Sequence, residues 1–358
     1  MSKFVKQHIK ELERVRPAQD RADFLRLDMN ENPEGLPHDF FSRVMKKITP
    51  EMLAMYPEPE KLTQMIAKRL NVGNENIIIT NGSDEAIKSI FEVFSKEGSK
   101  FVSVYPTFEM YRVYAEMFNM KIEMVNYEVG NVEAAFTIDV SKIVQAIDKE
   151  TSIVALLNPN NPIGTVYEED EVKRVVAKAK EVGAIVIIDE AYHYFHSKTF
   201  VDLVKEYDNV IVTRTFSKLC SIAGLRIGYA VGSQQMIGYL EKIRQTFNVN
   251  TVSLMFAQEI LEEDGLIEKL VDIELEGRKY VIDKLVESGR HVYAQNGNYV
   301  FIKCKTDKDK VIKKLLEKKI LVRGYSTPIL TDYIRISTGS KQAMKKFWEA
   351  FDLIDKED

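Results

Sequence analysis

Apolar and polar positions divide the 358 residues into three regimes. Residues 3–16 carry Phe4, Ile9, Leu12 and Val15 at loosely helical spacing, which predicts a short amphipathic helix or arm. The stretch LDMNENPEGLP, residues 27–37, reads as an irregular loop from its Asn, Pro and Gly content, and a helix is predicted from about Pro37 to Lys47. Tyr56 then stands on a Pro-bounded turn. From Ile77 the pattern becomes short runs of Val and Ile alternating with amphipathic segments. Strands are predicted at 77–80, 101–104, 121–125, 152–157, 184–189, 209–213 and 227–231, with helices at about 84–97, 107–118, 139–148, 168–182 and 233–245. Continuous β-branched runs between helices imply a mostly parallel, seven-stranded sheet covered on both faces.

A third regime begins near Leu254. Long charged helices over 254–288, broken near Asp264 and Gly265, precede short strands at 291–294, 299–304, 320–323 and 333–337. A helix at 307–318 and a closing helix from about Lys341 complete a smaller α+β unit. The expected organisation is α/β: an N-terminal arm and loop (1–40) joining the small domain, a large domain (41–253), and a small C-terminal domain (254–358).

Composition narrows the class. Hydrophobic residues make up 45% and charged residues 29%, so the chain can bury an enzyme-sized core. The formal net charge is -4, with no basic block interleaved with aromatics, which argues against nucleic acid and anionic membranes as partners. Cys220 and Cys304 have neither disulfide-scaffold density nor metal-ligand spacing, so no metal is expected, and Cys220 reads as a half-buried packing residue. The charged N-terminus lacks the apolar centre of a signal peptide, and no apolar run reaches the length of a membrane span. A cytoplasmic enzyme acting on small molecules is the expectation.

Ligands of parallel α/β sheets sit beyond the carboxyl ends of the strands, and the candidate chemistry collects there. NGSDE, residues 81–85, turns through Gly82 into a helix whose first N–H groups suit a phosphate, although Ser83 with Asp84 and Glu85 would equally make an ordinary helix start. YPTFEMY, residues 105–111, places Phe108 where it would either join the core or stack on a heteroaromatic ring. LLNPNNPIG, residues 156–164, uses Pro159 and Pro162 to aim Asn161 inward. AIVIIDEAY ends an apolar strand at Asp189, a carboxylate that calls for a cationic partner, followed by Tyr192. No Walker A sequence accompanies it, so a magnesium-nucleotide role for Asp189 is discounted. TRTFSKLCSIAGLRIG, residues 213–228, sets Lys218 among Thr215 and Ser217 with Arg226 eight positions on. Hydroxyls and a guanidinium are good phosphate ligands, and a lysine beside them can condense with a phosphorylated aldehyde.

Taken together, NENP, GSDE, YPTFEMY, NPNNPIG, DEAY, TFSKLCSIAGLRIGY, FNVN and IRISTG resemble, in order and spacing, the fold-type I enzymes that use pyridoxal 5'-phosphate (PLP). The resemblance is nearest to the histidinol-phosphate aminotransferase branch, which also holds threonine-phosphate decarboxylases. It implies a homodimer with active sites between domains and subunits. It assigns Lys218 as the Schiff-base lysine, Asp189 as partner of the pyridine nitrogen, Asn161 and Tyr192 as ligands of the phenolic oxygen, and Phe108 as the ring stacked on the cofactor. Ser83, Asp84, Thr215, Ser217 and Arg226 correspond to a phosphate cradle, and Tyr56 to a tyrosine reaching the neighbouring subunit's cofactor. Arg335 resembles the arginine that grips a substrate carboxylate, Arg323 one used for a distal phosphate, and Asn32 a substrate contact in the NENP loop.

Two departures fall on the substrate side. Pro17 is followed by Ala18 where the branch commonly has a proline-tyrosine pair, and Glu34 stands at an often aromatic position after NENP. The expected activity is amino-group exchange between a donor such as glutamate and a small phosphate- or phosphonate-bearing oxo compound. The alternative is decarboxylation of a phosphorylated amino acid. A PLP-binding regulatory module is a third possibility, disfavoured by the intact Lys218, Asp189 and Arg226 set and the absence of a helix-turn-helix segment.

Overall fold

The structure, a computed structural model, describes residues 4–13, 20–130 and 136–356. Its centre is a seven-stranded sheet built from β1 (Ile77–Thr80), β2 (Lys100–Tyr105), β3 (Lys121–Asn126), β4 (Thr151–Leu157), β5 (Ile185–Asp189), β6 (Val210–Thr215) and β7 (Gly228–Gly232). The spatial order is β1-β7-β6-β5-β4-β2-β3. Strands β2 to β6 run parallel, and β7 lies antiparallel between β1 and β6. Side chains alternate faces along each strand. In β5, Val186 and Ile188 enter one core with Val154, Leu156, Val210 and Val212, whereas Ile185 and Ile187 enter the other with Ile153, Ala155 and Ile211. Burial on both faces is why these strands lack a polar side.

The covering helices follow local rules. In Glu169–Val182, Val172, Val175, Val176 and Ala179 are buried at helical spacing, acidic residues fill the first turn, and Gly183 closes the end in the left-handed region at φ 77°. Past the long pair Thr251–Glu262 and Leu266–Glu287, a four-stranded antiparallel sheet forms from β8 (Val292–Tyr293), β9 (Tyr299–Lys303), β10 (Arg323–Gly324) and β11 (Tyr333–Ser337), in the order β8-β9-β11-β10. Val300, Ile302, Ile334 and Ile336 pack on Phe347 and Phe351 of the closing helix Lys341–Ile354, and Phe301 faces the large-domain core instead.

Among the described residues several elements are additional to the sequence-based expectation. Leu25–Arg26 pairs in parallel with Ile320–Leu321, and Leu27 packs in one core with Val300, Ile334 and Phe347. The short helix Gln7–Glu11 instead lies against Met110–Met117 of the large domain. A helix spans Glu60–Leu70, and Glu128–Val129 forms a hairpin with Phe136–Thr137. Val15, Pro17 and Ala18 lie outside the described residues. Cys220 is wholly buried, not half-buried, and burial pushes its thiol up to about 12. Among the described residues no helix is long and apolar enough to cross a membrane, and no cluster of His, Cys, Asp or Glu is placed to hold a metal ion.

Candidate active site

Beyond the carboxyl ends of β4, β5 and β6, Asn161, Tyr192 and Lys218 meet Arg335, Asn30 and the Met29 carbonyl respectively. Lys218 follows β6. Its Nζ donates to the Met29 carbonyl at 3.0 Å and sits 5.8 Å from the centre of the Tyr192 ring. Burial, helped by the guanidinium groups of Arg335 and Arg226, brings this amine down to about 8. A buried amine near that value can shed and regain a proton close to neutrality.

Asp189 ends β5 and is 5% exposed. Tyr111 donates to its Oδ2 at 2.9 Å and the Ala191 N–H to its Oδ1 at 3.0 Å. No ion pair to Asp189 forms among the described residues, and burial raises its carboxyl to about 6. Next to it, Glu190 is fully buried but fully engaged, by Arg214 at 2.7 Å, by Thr199 and by the Phe200 N–H. One of two adjacent buried carboxylates is thus ion-paired within the chain, and the other is hydrogen-bonded by neutral donors alone, with the nearby Lys218 charge as its one cationic attraction.

Around Lys218 the remaining polar groups are ordered by one another. Asn30 is buried in the left-handed region at φ 56°, a conformation asparagine tolerates. Its Nδ2 donates to the Tyr192 hydroxyl at 2.7 Å, its N–H donates to Ser337 Oγ at 2.8 Å, and its carbonyl accepts from Asn298. Because Tyr192 already accepts from Asn30, its own O–H is left to donate elsewhere. Arg335, buried on β11, donates to Asn161 Oδ1 at 3.0 Å, to the Tyr325 hydroxyl at 2.7 Å and to the Asp28 carbonyl at 2.6 Å. With Asn161 Oδ1 engaged, the amide's Nδ2 is its free donor. Arg323 is the direct cross-strand neighbour of Arg335, and Tyr325 lies 6.0 Å and 5.7 Å from their respective guanidinium carbons. Neither arginine has a carboxylate partner among the described residues. Two such cations side by side repel unless an anion joins them.

At β1 and β7 the backbone makes a cradle. Gly82 has φ 77° and precedes the helix Ser83–Phe94, and a Cβ there would meet Arg226 Nη2 at 2.5 Å. A Cβ on Gly228 would meet the Ser83 N–H at 2.5 Å. The glycines therefore let Arg226 and the helix's uncommitted first-turn N–H groups converge. Thr215 and Ser217 are buried and bonded to each other at 2.9 Å. Asp84 accepts from the Tyr114 hydroxyl at 2.8 Å. Phe108 packs on the second core with its ring 6.4 Å from that of Tyr111 and edge-on to it.

The remaining residues singled out from the sequence are placed as follows. Asn32 caps its own loop, its Oδ1 accepting the Glu34 N–H at 3.1 Å, whereas Asn30 occupies the site. Glu34 accepts from the Ser340 N–H at 3.0 Å and from its hydroxyl, so this carboxylate caps the closing helix. Asp189 is hydrogen-bonded by two neutral donors, Tyr111 and the Ala191 N–H. Tyr56 is 73% exposed and stacks on Phe247 at 4.0 Å, outside the cluster around Lys218. Tyr111, Asn30 and Tyr325 were not singled out from sequence. The set fits PLP: an anion cradle at a helix start, a buried carboxylate lacking a cation, and an amine of lowered basicity converge on one gap.

Comparison with known proteins agrees. The family "Aminotransferase class I and II" matches residues 22–351. A histidinol-phosphate aminotransferase of Thermoanaerobacter sp. (strain X514) is 35% identical over 329 residues, 89% of each chain. That of Methanocaldococcus jannaschii is 32% identical over 334 residues, covering 91% of this chain and 87% of its own. The solved histidinol-phosphate aminotransferase of Sinorhizobium meliloti in complex with pyridoxal-5'-phosphate superposes with a TM-score of 0.87 at 22% identity, over 99% of this chain and 98% of that one. The chain belongs to the class I and II aminotransferases and is a PLP-dependent transaminase.

Proposed function

We propose that this transaminase exchanges an amino group between glutamate and a small phosphorylated substrate of the histidinol phosphate type. The observation that carries the reading is the adjacent pair Arg335 and Arg323, bridged by Tyr325 and lacking carboxylate partners among the described residues. A guanidinium pair binds a phosphate or carboxylate through forked hydrogen bonds. The names of the relatives point to the same substrate class. Glu34, which replaces an aromatic and would seem to oppose an anion there, is instead turned to Ser340.

PLP, when bound, supplies the electron sink for a bond broken at the substrate's reacting carbon. The residues divide the remaining work. Lys218 carries the cofactor and moves a proton at that carbon, which an amine near 8 can do. Asp189 would pair with the pyridine nitrogen. The Tyr192 O–H and Asn161 Nδ2, aimed by Asn30 and Arg335, would donate to the phenolic oxygen, and Phe108 would stack on the ring. Arg226, Ser83, Asp84, Thr215 and Ser217 hold the phosphate through side-chain and backbone donors. We further infer a homodimer. Tyr56, Phe247, Phe41, Leu53 and Met55 are exposed apolar groups, and Tyr56 would reach the partner's cofactor phosphate.

The test compares histidinol phosphate with histidinol in wild type and Arg323→Ala. Wild type should prefer the phosphorylated amine strongly, and the variant should lose about tenfold or more of that preference in kcat/KM. Equal use of both amines, or carbon dioxide release from threonine phosphate in place of amine transfer, would reject the assignment.

A further inference from the structure

The helix Met110–Met117, which follows Phe108, carries a fully buried hydroxyl at Tyr111. Tyr111 is 0% exposed, its ring lies 6.1 Å from that of Phe101 at an interplanar angle of 4°, and its O–H donates to Asp189 Oδ2 at 2.9 Å. A phenylalanine would fill the same space, so packing does not account for the hydroxyl. The charges around it are few and mostly spoken for. Asp84, on the helix Ser83–Phe94, is engaged by Tyr114, and Glu190, beside Asp189, by Arg214. Lys218 and Tyr192 lie near enough to Asp189 to interact with its charge. What remains at Asp189 is one phenol and one backbone N–H, both donors.

A carboxyl beside a ring nitrogen shares one proton with it. That proton rests on the nitrogen if the carboxylate is stabilised, and on the oxygen if it is not. We propose that Tyr111 is a positioning residue of the transamination, its O–H holding Asp189 as the carboxylate so that the shared proton rests on the cofactor's ring nitrogen. This rests on Asp189 being the partner of that nitrogen. Tyr111 is suited to the task because burial and the Asp189 charge push its own ionisation far up, so it donates a hydrogen bond without giving up its proton. The ring charge then depends on a residue with no contact to substrate.

The experiment uses holoenzyme and cofactor-free protein of wild type, Tyr111→Phe and Asp189→Asn, reading three quantities. These are the PLP dissociation constant, the pH midpoint of the bound cofactor's absorption band, and the melting temperature without cofactor. Losing a hydrogen bond to a charged group predicts that Tyr111→Phe weakens PLP binding about tenfold and raises the midpoint by about one pH unit. Asp189→Asn should change both more. If Tyr111→Phe lowers only the melting temperature, leaving affinity and midpoint at wild-type values while Asp189→Asn moves them, the hydroxyl is merely structural and the proposal fails. If Asp189→Asn moves neither, the reading of Asp189 fails first and takes the proposal with it.

Discussion

Asp189→Asn should make the cofactor-free protein more stable and the holoenzyme worse. Burial raises the Asp189 carboxyl from 3.8 to about 6. Between about pH 4 and 6 the unfolded chain has released a proton that the folded chain retains, so stability falls as pH rises through that window. Above it the full penalty applies, two pH units or roughly 3 kcal/mol at 1.36 kcal/mol each. Asparagine avoids the charge and fits its neighbours. Its Oδ1 still accepts the Ala191 N–H, and its Nδ2 donates to the Tyr111 oxygen, which can accept as well as donate. The expected gain without cofactor is about 2 kcal/mol at pH 8, shrinking toward zero near pH 4. Denaturant melts of both apoproteins at pH 8 and pH 4.5 measure it, and PLP titration should show weakened retention of the cofactor by the variant. A destabilised variant at pH 8, or a gain independent of pH, would refute the claim that Asp189 is a buried charge kept for a cationic partner.

Three further outcomes follow from particular contacts. Gly82→Ala puts a methyl at 2.5 Å from Arg226 Nη2 in a left-handed backbone, so PLP affinity should fall at least tenfold while the far-UV spectrum is retained. Asn30→Ala removes the donor to the Tyr192 hydroxyl while keeping the backbone N–H to Ser337; kcat should fall about tenfold with a smaller change in KM for glutamate, measured by steady-state kinetics. Glu34→Ala should lower the melting temperature by no more than about 3 °C and leave kcat/KM for histidinol phosphate within about twofold, since the carboxylate caps a helix and does not line the pocket.

The large sheet was legible because strands buried on both faces must be continuously apolar, and Asp189 stood out as the polar residue closing one of them. Lys218, Arg226 and Gly82 were readable because their motifs lie within single turns of chain. Tyr111 was not, because a tyrosine on the buried face of a helix has the pattern of a core residue and only its oxygen tip differs in function. Asn30 and Asn32 are two positions apart in a loop with no periodicity, and only the left-handed backbone at Asn30 sends that side chain to Tyr192. Leu25–Arg26 gave no strand signal because two residues carry no alternation, and their partners are Ile320–Leu321 at the far end of the chain. Glu34 misled for the same reason, its partner Ser340 being 306 residues away.

The central claim is that Lys218 and its neighbours run a transamination that takes its amino group from glutamate. The direct measurement mixes stoichiometric glutamate with wild-type and Lys218→Ala holoprotein, following the cofactor's absorbance and the 2-oxoglutarate released. The wild-type cofactor should convert to its aminated form with about one equivalent of 2-oxoglutarate, and the variant, folded and able to hold PLP, should not turn over. Release of 2-oxoglutarate by Lys218→Ala at the wild-type rate, or a wild-type cofactor returned unchanged with carbon dioxide as product, would contradict the account.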